Sequence, residues 1–114
     1  MNKSRQEIID RYPVIFMDDP ELSVGDDWLP LIDELCSLLQ RISYRSGFKV
    51  VARQVKEKFG GLRFYYRVEI PEKDCSGMND FQRETYDLCN EQWESRISAV
   101  VSIYESLCGQ EGKK

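Results

Sequence analysis

Val55-Lys56-Glu57-Lys58-Phe59-Gly60-Gly61-Leu62-Arg63-Phe64-Tyr65-Tyr66 lies at the middle of the chain, and its reading decides the fold. After the paired glycines, Leu62, Phe64, Tyr66, Val68 and Ile70 alternate with Arg63, Tyr65, Arg67 and Glu69. A period of two is the pattern of a half-buried antiparallel strand. Before them, Phe48 to Lys56 is rich in β-branched residues and reads as the partner strand. Glu57-Lys58-Phe59-Gly60-Gly61 supplies the glycines that a tight reversal needs. The block is a β-hairpin over 48–70, and Pro71 ends it.

A lone hairpin is marginal in water, so its apolar face needs cover. Upstream, Ser4 and Glu7 form a capping box, Ile8, Ile9 and Tyr12 follow, and Pro13 stops a short helix over 5–12. Residues 14–24 read as an irregular acidic connector. Asp26 or Asp27 is placed to cap the next helix, with Pro30 tolerated in its first turn. Leu31, Ile32, Leu35, Cys36, Leu38, Leu39 and Ile42 then recur at helical spacing to about Tyr44, and Gly47 lies past the end. Downstream, Asn79 and Gln82 form a second capping box. Tyr86, Cys89, Trp93, Ile97, Val100, Tyr104 and Leu107 follow at spacings of 3, 4, 4, 3, 4 and 3, one apolar stripe on a long helix that Gly109 ends, with Lys113-Lys114 as a tail. The predicted fold is α+β in the order α-α-β-β-α: an antiparallel hairpin on two main helices plus a short N-terminal helix. With 114 residues and no linker or repeat, one domain over 1–114 is expected, with segments 1–24, 25–46, 48–70 and 78–108.

Charge is separated along the chain. Residues 41–67 carry eight bases and one acid, +7, while the remainder has eight bases and 19 acids, −11, which sum to the net −4. No apolar run approaches the roughly 18 residues that span a bilayer, and no apolar segment follows the basic start, so a cytoplasmic protein without a membrane segment or signal peptide is expected.

The chain has no histidine. That removes Ser-His-Asp and Cys-His catalysis and imidazole metal sites. No phosphate-binding glycine loop or nucleophile elbow occurs. Cys36, Cys75, Cys89 and Cys108 include no close pair, so reduced thiols are expected, with Cys36 and Cys89 as small core residues and Cys75 as the exposed one. The chain is expected to be no enzyme, with no cofactor and no metal.

Three features can carry binding. Arg63, Tyr65 and Arg67 share one face of the second strand, with Lys56 and Lys58 at the turn; bases interleaved with an aromatic can grip a phosphate backbone and stack a base. The same face is equally an internal salt-bridge network or a solvated sheet surface. Asp18, Asp19, Glu21, Asp26 and Asp27 cluster within ten positions and can face a basic partner, or serve as a solvated loop and helix cap. The stripe of the last helix is core, or in part a homodimer or partner seam.

The hairpin block Val55–Tyr66 resembles the signature of a family of small proteins encoded by tailed bacteriophages and prophages. Gly25-Asp26-Asp27-Trp28 followed by Leu31-Ile32-Asp33 resembles that family's G-D-G-W segment. Many relatives end in C-x-x-C-G, where this chain reads Glu105-Ser106-Leu107-Cys108-Gly109, without the first cysteine. The resemblance implies a phage accessory protein in the bacterial cytoplasm, and the missing catalytic motifs make a non-enzymatic one the expectation. Small, acidic phage proteins of this kind act by binding, and the expected partner is a host protein or defence complex, inhibited as anti-CRISPR proteins do. Asp18, Asp19, Glu21, Asp26 and Asp27 are the residues expected to make that contact. The alternative is nucleic-acid binding by Lys56, Lys58, Arg63, Tyr65 and Arg67.

Overall fold

The structure, a computed structural model, describes residues 4–112, with side chains as far as Leu107. The Lys113-Lys114 tail and the Cys108 side chain lie outside the described residues.

The hairpin forms as its alternation requires. Strands β2 (Lys49–Lys58) and β3 (Gly61–Glu69) pair antiparallel from Lys49↔Glu69 to Lys58↔Gly61. That register leaves Phe59-Gly60 as a two-residue turn. Both turn residues have positive φ, 54° and 74°, as the twist of a tight hairpin demands. Gly60 adopts this freely; for Phe59 the left-handed conformation costs about 1–2 kcal/mol.

The pairing slips once, at Arg53, which bulges between Ala52 and Gln54. The bulge has a packing reason. Ala52 and Val55 both belong to the core although they stand an odd number of positions apart. An extra residue between them restores the inward direction and throws Arg53 out to solvent.

The connector holds an element that its sequence does not announce. β1 (Glu21–Ser23) lies parallel to β2, with Glu21↔Gln54 and Ser23↔Lys56, so the sheet is three-stranded and mixed, in the order β1-β2-β3. Parallel neighbours need a long crossover. Here it is a 3-10 turn (Asp26–Trp28) and helix α2 (Leu29–Ser46). Beyond β1 the connector continues as cover for the same edge: the Ala52 amide donates to the Ile15 carbonyl at 2.8 Å.

Helix α1 (Arg5–Arg11) starts with Ser4 accepting the Glu7 amide and stops before Pro13. Helix α2 has no side-chain cap: Trp28 is its N-cap residue, and neither Asp26 nor Asp27 serves as the expected cap. Asp26 instead pairs with Arg5 at 2.7 Å. Gly47, at φ 79°, closes the helix as its spacing predicts. Helix α3 (Asp80–Gly112) opens on the reciprocal Asn79–Gln82 box, with amide-to-oxygen distances of 2.8 and 3.1 Å. It runs through Gly109 rather than ending there.

One core joins these elements. Ile8 of α1, the stripe Leu29, Ile32, Leu35, Cys36 and Leu39 of α2, Val50, Ala52, Val55, Leu62 and Phe64 of the sheet, and Ile97 and Val101 of α3 meet in it. Cys36 is buried as expected, and burial pushes its thiol pKa far up. Cys89, expected in the core, is exposed. Its position explains this: α3 is longer than the body, and its stripe becomes core only from Trp93 onward. Ahead of Trp93, Phe81 is 76% and Leu88 57% exposed. Among the described residues, no helix is long and apolar enough to cross a membrane.

Candidate functional site

Strand alternation divides the hairpin into two faces. Leu62 and Phe64 turn toward the helices; Arg63, Tyr65 and Arg67 turn away, joined by Gln54, Lys56 and Lys58 of β2 after the bulge. Cross-strand pairing places Lys56 opposite Arg63 and Gln54 opposite Tyr65. The Lys56 ammonium sits 5.7 Å from the centre of the Tyr65 ring, a cation–π distance that holds the ring flanked by charge. Tyr65 is 43% exposed. Four of the five basic-face residues read from sequence (Lys56, Lys58, Arg63 and Tyr65) therefore come together on one open surface.

Arg67 does not join them as a free base. Its guanidinium donates to both Asp18 oxygens, Nε at 2.9 Å and Nη2 at 3.2 Å, and to Glu69. These hydrogen bonds raise the Arg67 pKa and lower that of Asp18 below its ordinary value of 3.8. Arg67, at the far end of the face, is thus compensated by carboxylates, and Lys56, Lys58 and Arg63 lie in the half nearer the turn. Lys56, Lys58 and Arg63 make no ion pair among the described residues. Glu84, Glu91 and Glu94 of α3 stay exposed and do not reach them.

Beside Tyr65 the bulge opens a shallow concavity of about 590 Å³, lined by Glu21, Arg53, Gln54, Phe64, Tyr65 and Tyr66. Arg53 enters the site this way. The sequence reading missed it as a site residue; the odd spacing from Ala52 to Val55 was the signal that a bulge would expel it. At the turn, Phe59 is 92% exposed on its strained backbone, with the Lys58 ammonium 5.6 Å from its ring centre. This second aromatic was also missed as a site residue. Counting the register back from the glycines leaves it at the turn, where a large side chain has nothing of its own to pack against.

The acidic group expected to face a basic partner is broken up by the fold. Asp18 is held by Arg67 and Asp26 by Arg5. Glu21 sits in β1, at the rim of the concavity. Asp19 and Asp27 are exposed, Asp19 at φ 52° after a run of turns and Asp27 in the 3-10 turn. Two of the five carboxylates are therefore already paired, and the rest belong to separate elements.

Among the described residues no three of His, Cys, Asp and Glu group as metal ligands. What the surface can do is hold an extended polyanion: cations on the turn side of an exposed ring, with a concavity beside it. No protein-family profile, curated protein or solved structure matches the chain.

Proposed function

We propose that this chain is a non-enzymatic nucleic-acid-binding module that uses the outer face of its hairpin. One observation carries the reading: Lys56, Lys58 and Arg63 share one face with an exposed Tyr65 and make no ion pair among the described residues. Phosphates would lie against Lys56, Lys58, Arg63 and Arg53, and Tyr65 would take a base on its ring. The setting implied by the hairpin's resemblance is a phage accessory gene expressed in a bacterial cytoplasm.

Binding of this kind releases counterions, so affinity falls steeply with salt. Fluorescence anisotropy with labelled oligonucleotides at low salt tests it. Binding that weakens as salt rises, and that Lys56→Glu with Arg63→Glu abolishes, is the expected result; absence of any binding at low salt ends the reading.

A second reading keeps the capture of a host protein, a bacterial defence complex among the candidates. The observation that favours it lies on α3, not on the connector. Asp80, Glu84, Asp87, Glu91 and Glu94 recur at spacings of 4, 3, 4 and 3, one acidic stripe beside the exposed Phe81 and Leu88. Like charges at that spacing repel within the helix, and a basic partner would relieve them. Under this reading, purified partner binds the wild type and fails to bind Glu84→Lys with Glu91→Lys. Equal capture by both proteins removes α3 as the contact.

A further inference from the structure

We infer that Phe59, at the hairpin turn, is a second base-stacking platform, and that the ligand of this face is an unpaired nucleic-acid strand. The inference rests on the nucleic-acid reading above and narrows its ligand.

Three observations at one residue lead here. Phe59 holds φ at 54°, in the first position of a turn where asparagine, aspartate or glycine fits without strain. It is 92% exposed, so no packing inside the molecule offsets that strain. Its ring lies beside the Lys58 ammonium, as Tyr65 lies beside that of Lys56. Backbone strain with no structural return concentrates where function uses the side chain.

The two aromatics then form a track. Gly61 and Tyr65 stand four positions apart on β3, about 13 Å at the usual strand rise. Lys58, Lys56 and Arg63 line the stretch between the rings. A strand whose bases are free can stack on both rings while its phosphates meet the three cations. A duplex keeps its bases stacked on each other and leaves both rings idle.

The substitution that separates function from folding is Phe59→Asn. Asparagine tolerates the left-handed turn, so the variant folds with an equal or higher Tm. Short labelled oligothymidylate, oligouridylate and a DNA duplex of the same length are compared at low salt. The wild type is expected to bind at least one single strand about tenfold or more tightly than the duplex. Phe59→Asn should lose about tenfold of that affinity, the size of one stacked base, and Phe59→Trp should keep it. The single strand that binds more tightly distinguishes DNA from RNA. Equal binding of duplex and single strands, or an unchanged affinity in Phe59→Asn, overturns the inference and leaves the broader nucleic-acid reading standing. No binding of any oligonucleotide overturns both.

Discussion

Asp18 and Arg67 stand 49 positions apart and meet in a two-pronged ion pair, carboxylate against guanidinium, at 2.9 and 3.2 Å. The pair ties the connector to the outer face of β3 and sets the boundary of the positive surface. Replacing Asp18 by Asn and Glu69 by Gln together should free Arg67 toward a phosphate. Oligonucleotide affinity then rises, and the salt dependence steepens by about one unit of slope. Anisotropy titrations across salt concentrations check this.

The same pair sets a pH response. The hydrogen bonds from Arg67 lower the Asp18 pKa in the folded chain, so its contribution to stability is present above the unfolded value. It is lost as pH falls through the folded value, below the ordinary 3.8. Asp18→Asn should therefore show a flatter loss of Tm on the acid side than the wild type, with the two curves parallel above the ordinary 3.8 and converging as pH falls below it. Thermal melts through the acid range measure it.

Helix α3 divides into halves of different worth. Ile97 is fully buried, and Ile97→Ala should cost about 2–4 kcal/mol. Leu88, nine positions earlier, is exposed, and Leu88→Ala should change stability by no more than about 0.5 kcal/mol. Urea unfolding of the two variants tests the contrast. Amide hydrogen exchange should follow it, faster over 80–92 than over 97–107.

Thiol chemistry should sort the cysteines by burial. Cys36 is fully buried with its pKa pushed up, so it stays unmodified in the native protein. Cys89 is exposed and Cys75 partly so, and both should be alkylated under conditions that leave Cys36 intact. Peptide mass mapping after brief iodoacetamide treatment reads the difference.

Glu105 of α3 accepts the backbone amide of Phe64 at 2.8 Å. Glu105→Ala leaves that amide without its carboxylate and should cost about 1–2 kcal/mol, whereas Glu105→Gln keeps an acceptor and should recover most of it. Urea midpoints of the two variants decide.

The hairpin, the caps at Ser4 and Asn79 and the C-cap at Gly47 were legible in the sequence because each rests on local chemistry: alternation, side-chain acceptors, or a left-handed glycine. β1 was not. Glu-Leu-Ser carries no strand signal, and only the tertiary neighbour β2, more than 30 positions away, makes it one. The exposure of Cys89 was hidden for a related reason. Helical spacing states which residues share a face but not how far the rest of the body extends beneath it. For the site, alternation brought Lys56, Arg63 and Tyr65 together correctly. It could not show that Arg67 has a partner in Asp18, because that partner comes from a loop with no periodicity.

Both borders of the small sheet are guarded by ionic side chains. At β1, Arg5 donates to the carbonyl of Leu22 and to that of Val24 just past the strand, and on β3 Glu105 takes the amide of Phe64. Main-chain groups that would otherwise welcome a strand from another molecule are thus occupied by opposite charges at opposite rims. A ribbon this short and aromatic is a natural seed for fibrillar stacking. The two plugs take up a donor and acceptors that such edge pairing would use.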